Sequence, residues 1–581
     1  MFIIFVYIYM LGILKRFYIY LKVNSAIILT LLFLIVFSLF HIRLVSNTFY
    51  IDHNNNFYST GEGYGDVPLH LTQIAHFAFS SSINTSEPIY FGVQMNYHFF
   101  FNLIRGLILA FTDSWNLAVV WPIILLVAFN IFLLFKVLDH ILKNKYLSIL
   151  SLLIFYLGPN LSWINSILEG KGISLTQMGA TYPLQNIAFG SPLVLVFTHQ
   201  HTAIFGFTLF LIFIYGVIRI KDCNHWFYWL ISILSLGFLP LSHIHSFFAA
   251  VVFLLATIAV SIFQKKFSYF KKILIVGFSS FIITIPQILY LLSSKVGDGS
   301  FIKFRVGWMV GEGMGGVIFS GAKQTFLSLP FLNFTGINFG LILPFFIVSL
   351  IFLSIYLYRR KPKQKEEAFF VIIFGLAGLI LFIMGQSIKF QPWDFDNNKI
   401  FVYFLLFSAP VVIWFLYKFQ EKRPYLRNTI LILFTSISIA TGLLYSTDRF
   451  ITKKNNLPMI FSRDAVRVAD YVRVNIPENS LVLTSSTHLN LVSSLAGRPV
   501  LVGYPGWLWT RGINYGERLR DIEDFYKNPK SDSMIFSKYP ITHILYDDFV
   551  KYDYGTKQDD LENLFEKVFE SGSYVLYSIK K

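Results

Sequence analysis

Asp66 and His70 stand four residues apart in the first long polar stretch of the chain, Tyr64-Gly65-Asp66-Val67-Pro68-Leu69-His70. On a helix that spacing puts a carboxylate and an imidazole on one side. Such a pair can take a proton from a hydroxyl. A second group, Asp394, Asp396, Asn397 and Lys399, stands in Pro392-Trp393-Asp394-Phe395-Asp396-Asn397-Asn398-Lys399, just ahead of a long apolar run. Carboxylates, an amide and a lysine at the mouth of a membrane span are costly to keep there without use. Lys399 and Arg305 are candidate phosphate ligands, because fixed cations bind phosphate oxygens; both also fit snorkelling anchors. Arg105 is a further phosphate candidate. Four histidines complete the set: His199 with His201, and His243 with His245. Their i,i+2 spacing turns the members of each pair in nearly opposite directions on a helix, so neither is a ready zinc clamp. One of each pair is expected to face the site and the other to touch headgroups or backbone. A magnesium or manganese ion would use the oxygens of Asp66, Asp394, Asp396 or Glu312. Plainer readings stand beside these. Asp66 ahead of Pro68 is a strong helix N-cap pattern, and Asp394 or Asp396 can cap the span that follows. The glycine run 311–316 lacks the Gly-Lys-Ser/Thr ending of a phosphate loop and fits a lid or a plain loop.

The elements that must position these groups are membrane helices. Of 581 residues, 55% are hydrophobic and 14% charged, with 64 Phe and 32 Tyr, far more apolar surface than a soluble core uses. Apolar runs near the ~20 residues a bilayer needs fall at about 24–42, 116–138, 146–164, 201–219, 226–242, 246–263, 272–293, 337–358, 367–386, 400–418 and 428–446. With about eleven spans, the basic clusters at 15–22, 136–145, 219–221, 265–272, 359–365 and 418–427 all fall on one side. The positive-inside rule makes that side the cytoplasm. It puts the N-terminus there, and Asp66, the histidine pairs, Arg305 and the 392–399 run outside. Met1 to Leu14 reads as an interfacial helix rather than a signal peptide, because Lys15 and Arg16 follow its apolar run. The net charge of +16 lies largely in the short basic loops, which speaks of membrane orientation and not of nucleic acid. One cysteine, Cys223, excludes an internal disulfide and a cysteine metal site. The helix opened by Asp66 carries Val67, Leu71, Ile74, Ala75 and Ala78 in one stripe, which predicts an amphipathic helix on the membrane surface.

The chain therefore divides into a transmembrane domain, 1–446, and a soluble extracytoplasmic α/β domain, 447–581. In the latter, 464–474 reads as a helix and 481–484, 499–502, 541–546 and 574–579 as strands of a partly parallel sheet. Gly503-Tyr504-Pro505-Gly506-Trp507-Leu508-Trp509 follows a strand, where ligands often meet α/β sheets. Trp507 is a candidate sugar-stacking residue; equally, these aromatics could hold the tail to the membrane.

Three motifs together carry a resemblance: Gly65-Asp66-Val67-Pro68-Leu69-His70 in the first outer loop, Pro392 to Lys399 before a late span, and Gly503 to Trp507 in the tail. With them the chain resembles the GT-C superfamily of integral-membrane glycosyltransferases, which includes protein O-mannosyltransferases, aminoarabinose transferases and oligosaccharyltransferase catalytic subunits. The resemblance implies a polytopic helical fold with amphipathic helices in the first outer loop. It implies that Asp66 matches the aspartate that acts as base or positions the acceptor. It also implies a polyprenyl-phosphate-linked sugar as donor, an extracytoplasmic glycan, lipid or protein as acceptor, and inversion at the anomeric centre. Many members carry an acidic pair near this loop; here the nearest acid is Glu62, four residues earlier, which bears on metal dependence. The residues suit that chemistry. Asp66 is a base for the acceptor hydroxyl, and Lys399 and Arg305 are counter-charges for the leaving phosphate. Asp396, Asn397 and His243 can flank the sugar. Other readings remain. A flippase or transporter of a lipid-linked substrate predicts polar residues mid-span and internal repeats, and no repeat is visible. A glycan polymerase or ligase is a neighbouring enzyme class.

Overall fold

The computed structural model describes residues 25–60, 63, 65–164, 190–294, 302–304, 306, 329–359, 362–392, 394–451 and 457–579. Among these, nine helices are long and apolar enough to cross a membrane: Ser25–Ser46, Asn116–Leu142, His201–Asp222, Ile244–Phe263, Phe267–Ser293, Ile342–Arg359, Phe369–Ser387, Lys399–Phe419 and Pro424–Ile451. Two other expected spans are occupied by shorter helices, Lys145–Leu157 and Trp226–Gly237. The first ends at Gly158, ahead of Pro159, because the residue before a proline is driven out of helical backbone. The second is followed by a single further turn, Leu239–Ser242, with Pro240 at its start. A helix thus stands at every expected span, and the protein is a multi-pass membrane protein.

Lys399–Phe419 is the central helix. It is apolar all round, and 94% of its most apolar window is buried, as such a helix must be. It packs on Phe369–Ser387, Ile342–Arg359 and Lys145–Leu157. Gly442 lets Pro424–Ile451 lie against Lys145–Leu157: a Cβ there would fall 1.9 Å from the Leu157 carbonyl oxygen. Basic loops meet at the end of the bundle away from Lys399 and His201. Lys221 Nζ lies 2.5 Å from Glu366 Oε1, Lys266 pairs with the same carboxylate, and His140 Nε2 lies 3.0 Å from Asp222.

The C-terminal region holds a mixed sheet in the order Leu481–Leu483, Ile541–Tyr546, Tyr574–Ser578, Glu566–Ser571, parallel in its first pair and antiparallel beyond. The expected strand at 499–502 makes only one bridge, Val500 to Val482. Its backbone is taken by the segment after the Val67–Phe79 helix: Val500 N–H donates to Pro88 O at 3.0 Å and Gly503 N–H to Ile89 O at 2.7 Å.

That exchange recurs throughout. The hairpin Phe49–Ile51/Phe57–Ser59 takes Met459–Phe461 as a third strand. Val67, Leu71 and Ile74 share a core with Ala465, Val468 and Val492, and Leu69 and Ile89 share one with Leu481 and Leu508. The Val67–Phe79 helix is therefore enclosed on nearly every side instead of lying on a membrane surface. Its polar face is covered: Thr72 Oγ1 lies 2.9 Å from Ser494 Oγ, and His76 Nδ1 lies 3.3 Å from Gly497 O. Gly497, at φ +67°, sits where a Cβ would fall 2.5 Å from Ala75 O. The covering elements lie some 400 residues further along the chain, beyond the reach of local periodicity.

Candidate active site

Asp66 occupies the N-cap of Val67–Phe79, yet its side chain makes no capping hydrogen bond. Pro68 removes one of the N–H groups a cap would serve. The carboxylate is left for another task. The turn before it is held by Trp507, whose indole Nε1 donates to Gly65 O at 3.0 Å. The Trp507 ring is buried and stands edge-on to Tyr504 at 5.4 Å. Trp507 thus braces the Asp66 turn from the C-terminal region.

Burial pushes the Asp66 carboxyl above the usual carboxylate range; Lys399 pulls it back, Asp396 raises it further and His199 lowers it. Those charges reach Asp66 through the space between the Val67–Phe79 and Lys399–Phe419 helix starts. Lys399 Nζ lies 2.8 Å from Asp396 Oδ1. Asn398, not Asp396, occupies the N-cap of Lys399–Phe419. Asn397 ties this turn together: Oδ1 accepts from the N–H groups of Phe390 at 2.6 Å and Gln391 at 3.1 Å, and Nδ2 donates to Gln391 O at 3.0 Å.

His70 lies on the same helix as Asp66, fully enclosed. Asn102 Nδ2 donates to its Nδ1 at 3.0 Å and to Gln73 Oε1 at 2.7 Å, while Asn102 Oδ1 accepts from Arg105 at 3.3 Å. This network leaves the ring proton on Nε2. Burial pushes the imidazole down to about 3, helped by Arg105, Lys399 and Arg511, so the ring is neutral at pH 7. It stacks on His201 at 5.7 Å. Arg105, a sequence candidate for phosphate, has a different task. It is wholly buried, and Nε and Nη2 donate to the Ala118 and Val119 carbonyls at 3.1 Å each. Its guanidinium serves the backbone.

The histidine pairs differ from expectation for a backbone reason. His199 lies in the turn before the His201–Asp222 helix, and His243 is the extended N-cap of Ile244–Phe263, at φ −167°. Neither pair lies wholly on a helix, so the opposite-direction rule fails. All four rings are buried, and those of His243 and His245 lie 5.4 Å apart. His243 Nδ1 bonds Ser246 Oγ at 2.8 Å. Among the described residues, His201 Nδ1, His243 Nε2 and both nitrogens of His245 have no hydrogen-bond partner. Buried polar atoms left so mark a place for ligand groups or water.

Sequence reasoning missed several members. His98 Nε2 lies 3.2 Å from Thr202 Oγ1, the Tyr97 ring stacks on His98 at 3.9 Å, and His98 meets His243 at 5.7 Å. Burial, then the charge of Asp66, push the Tyr97 phenol up. Arg511 reaches in from the C-terminal region and pairs with Glu87 at 2.6 Å, both buried. The only local signal was the Tyr97-His98 pair itself. Arg305, Glu312, the 311–316 run, Met1 to Leu14 and the side chain of Asp394 lie outside the described residues. Among the described residues no three His, Cys, Asp or Glu side chains converge as a metal seat, and Lys399 engages the Asp396 carboxylate.

No protein-family model matches the chain, and no curated protein does. Solved structures do. The oligosaccharyltransferase of Archaeoglobus fulgidus, in its apo form, aligns over 95% of this chain and 74% of its own at 13% identity, with a TM-score of 0.50. The same enzyme tethered to an acceptor peptide containing the NVT sequon aligns over the same shares at 12% identity and a TM-score of 0.50. ArnT from Cupriavidus metallidurans, in the apo state, aligns over 96% of this chain and 98% of its own at 9% identity, with a TM-score of 0.47. The oligosaccharyltransferase alignment spans nearly the whole chain, membrane helices and C-terminal region together, and the fold is GT-C-like.

Proposed function

We propose that the protein is a membrane glycosyltransferase that moves a sugar from a polyprenyl-phosphate donor to an extracytoplasmic acceptor. One observation carries the reading: the carboxylate of Asp66, which makes no capping bond, lies within reach of the charges of Asp396 and Lys399 and on the same side as the buried His70 and His201 rings. In the proposed reaction Asp66 takes the proton of the acceptor hydroxyl. The acceptor oxygen bonds the anomeric carbon from one face as the bond to the phosphate oxygen breaks on the other, inverting the centre. The leaving phosphate keeps the electron pair, and Lys399 balances its charge. Arg305 is a second proposed counter-charge. Asp394 and Asp396 are proposed to flank the sugar, and His70, through its Nε2 proton, to donate to it. The unpartnered nitrogens of His201, His243 and His245 would bind sugar hydroxyls, with His199 beside Asp66. The face carrying these groups would be extracytoplasmic, with the basic loops in the cytoplasm.

The archaeal oligosaccharyltransferase is a transferase by name and has been captured with an acceptor peptide, which supports the reaction class. A buried polar site at the mouths of membrane helices suits a lipid-borne donor, whose glycosyl phosphate would sit beside the apolar spans. The test is transfer from a panel of radiolabelled polyprenyl-phosphate sugars by purified protein in vesicles. Label moving to an acceptor, with the product anomer opposite to the donor's, supports the reading. Donor lipid crossing the bilayer without transfer would overturn it in favour of a flippase.

A further inference from the structure

The C-terminal region does more than cover the site. The turn that follows its Pro505–Thr510 helix delivers Arg511 into it, four residues after the tryptophan that holds Gly65. Arg511 Nη1 bonds Glu87 Oε2 at 2.6 Å, and both side chains are within 5% of full burial. Among the described residues Nη2 has no partner. The guanidinium lies over the Tyr97 ring at 4.7 Å, Tyr97 lies on His98, and His98 faces His243 and Thr202. A column of stacked groups therefore runs from Arg511 into the helix bundle. The charges of Arg511 and Lys399 both bear on the rings of His70 and His98.

We propose that Arg511 is a phosphate-binding residue of this site: its buried, unpartnered Nη2 donates to a phosphate oxygen of the ligand while Nη1 stays on Glu87. This rests on the glycosyltransferase reading for the identity of the ligand, a polyprenyl phosphate. The chemistry is specific to an anion. Glu87 cancels the net charge of the arginine, so burial is tolerable, but it uses only part of the guanidinium fork. The remaining donors gain most from a charged oxygen. A lysine could keep the pair with Glu87 but would lose the second arm of the fork. Charge alone therefore does not explain an arginine here.

The test uses the full chain in nanodiscs and native mass spectrometry, with undecaprenyl phosphate, undecaprenol and inorganic phosphate as probes. Wild type, Arg511→Lys, the charge-balanced pair Glu87→Gln/Arg511→Gln, and Lys399→Gln are compared. The expected result is that Arg511→Lys and the double variant bind undecaprenyl phosphate roughly tenfold to a hundredfold more weakly, the loss of one charge-assisted hydrogen bond. Their binding of undecaprenol should be unchanged. If Arg511→Lys keeps the wild-type preference for phosphate over alcohol while Lys399→Gln loses it, Arg511 is structural; the proposal falls and the reading of the site stands. If wild type binds inorganic phosphate through Arg511 but does not prefer the lipid phosphate, the anion seat stands and the lipid-donor reading falls. If wild type prefers neither phosphate, both fall.

Discussion

Replacing Trp507 with phenylalanine separates positioning from stability. The indole makes one hydrogen bond to the Gly65 carbonyl, 3.0 Å long, and otherwise sits as a buried ring against Tyr504. Trp507→Phe keeps an aromatic ring in that place and removes the donor. One such bond is worth about 0.5–1.5 kcal/mol net, so the protein stays folded. The local effect is larger, because Asp66 is the next residue along the turn. Opening of segment 63–70 becomes roughly two- to twelvefold more frequent on the same arithmetic. A displacement of about 1 Å at a reacting group costs on the order of a hundredfold in rate. Hydrogen-exchange mass spectrometry on purified protein gives the first number without any assumption about the reaction. A transfer assay gives the second, and the loss should fall in kcat with the donor KM little changed. Unaltered exchange across 63–70 would refute the reasoning, as would a rate loss no larger than the loss of folded protein.

Other predictions follow from burial and close approach. Because burial raises the Asp66 carboxyl, its base form is lost as pH falls through a midpoint above that of an ordinary aspartate, about 3.9. The acid limb of kcat/KM should lie above that value. His70, pushed down to about 3, should add no limb near 6.5, which a pH–rate profile reads directly. Gly442→Ala puts a Cβ 1.9 Å from the Leu157 carbonyl oxygen, in backbone that cannot turn aside, and should cost about 1–3 kcal/mol in denaturant titrations. Asp547 caps the Asp548–Tyr554 helix through Val550 N–H, and burial pushes its carboxyl up to about 7. A raised carboxyl contributes stability that is complete below the unfolded pKa, about 3.9, and lost as pH rises through the folded value. Asp547→Asn keeps the capping oxygen, so its stability relative to wild type should rise by roughly 2–3 kcal/mol between pH 5 and pH 8. A thermal-shift gap that stays constant with pH would contradict that.

The membrane helices were legible because an apolar run of span length has few other uses. The two short ones stop before the expected 164 and 242, at Leu157 ahead of Pro159 and at Gly237 ahead of the Leu239–Ser242 turn. Asp66, Asp396 and Lys399 were legible as polar groups at helix mouths. What lay hidden was long-range pairing. Glu87 and Arg511 are 424 residues apart, and nothing local to either names the other. The same holds for the third strand that Met459–Phe461 adds to the first-loop hairpin. The strand Glu566–Ser571 was missed because it is a charged edge strand, with Glu566, Lys567 and Glu570 exposed. Edge strands keep such residues to discourage further pairing, which erases the apolar alternation. The directions of the paired histidines differed from expectation because a spacing rule for helices was applied to residues at the helix cap and in the turn before it, His243 and His199.

The most direct test of the central claim compares wild type with Asp66→Asn, at matched expression, for transfer of label from polyprenyl-phosphate sugars in membranes. Asparagine is close in size and, since Asp66 makes no capping bond, the fold loses nothing by the exchange. The account predicts transfer by wild type and near-complete loss in the variant, with donor binding retained. Equal transfer by the two proteins would contradict it and reduce Asp66 to a turn residue.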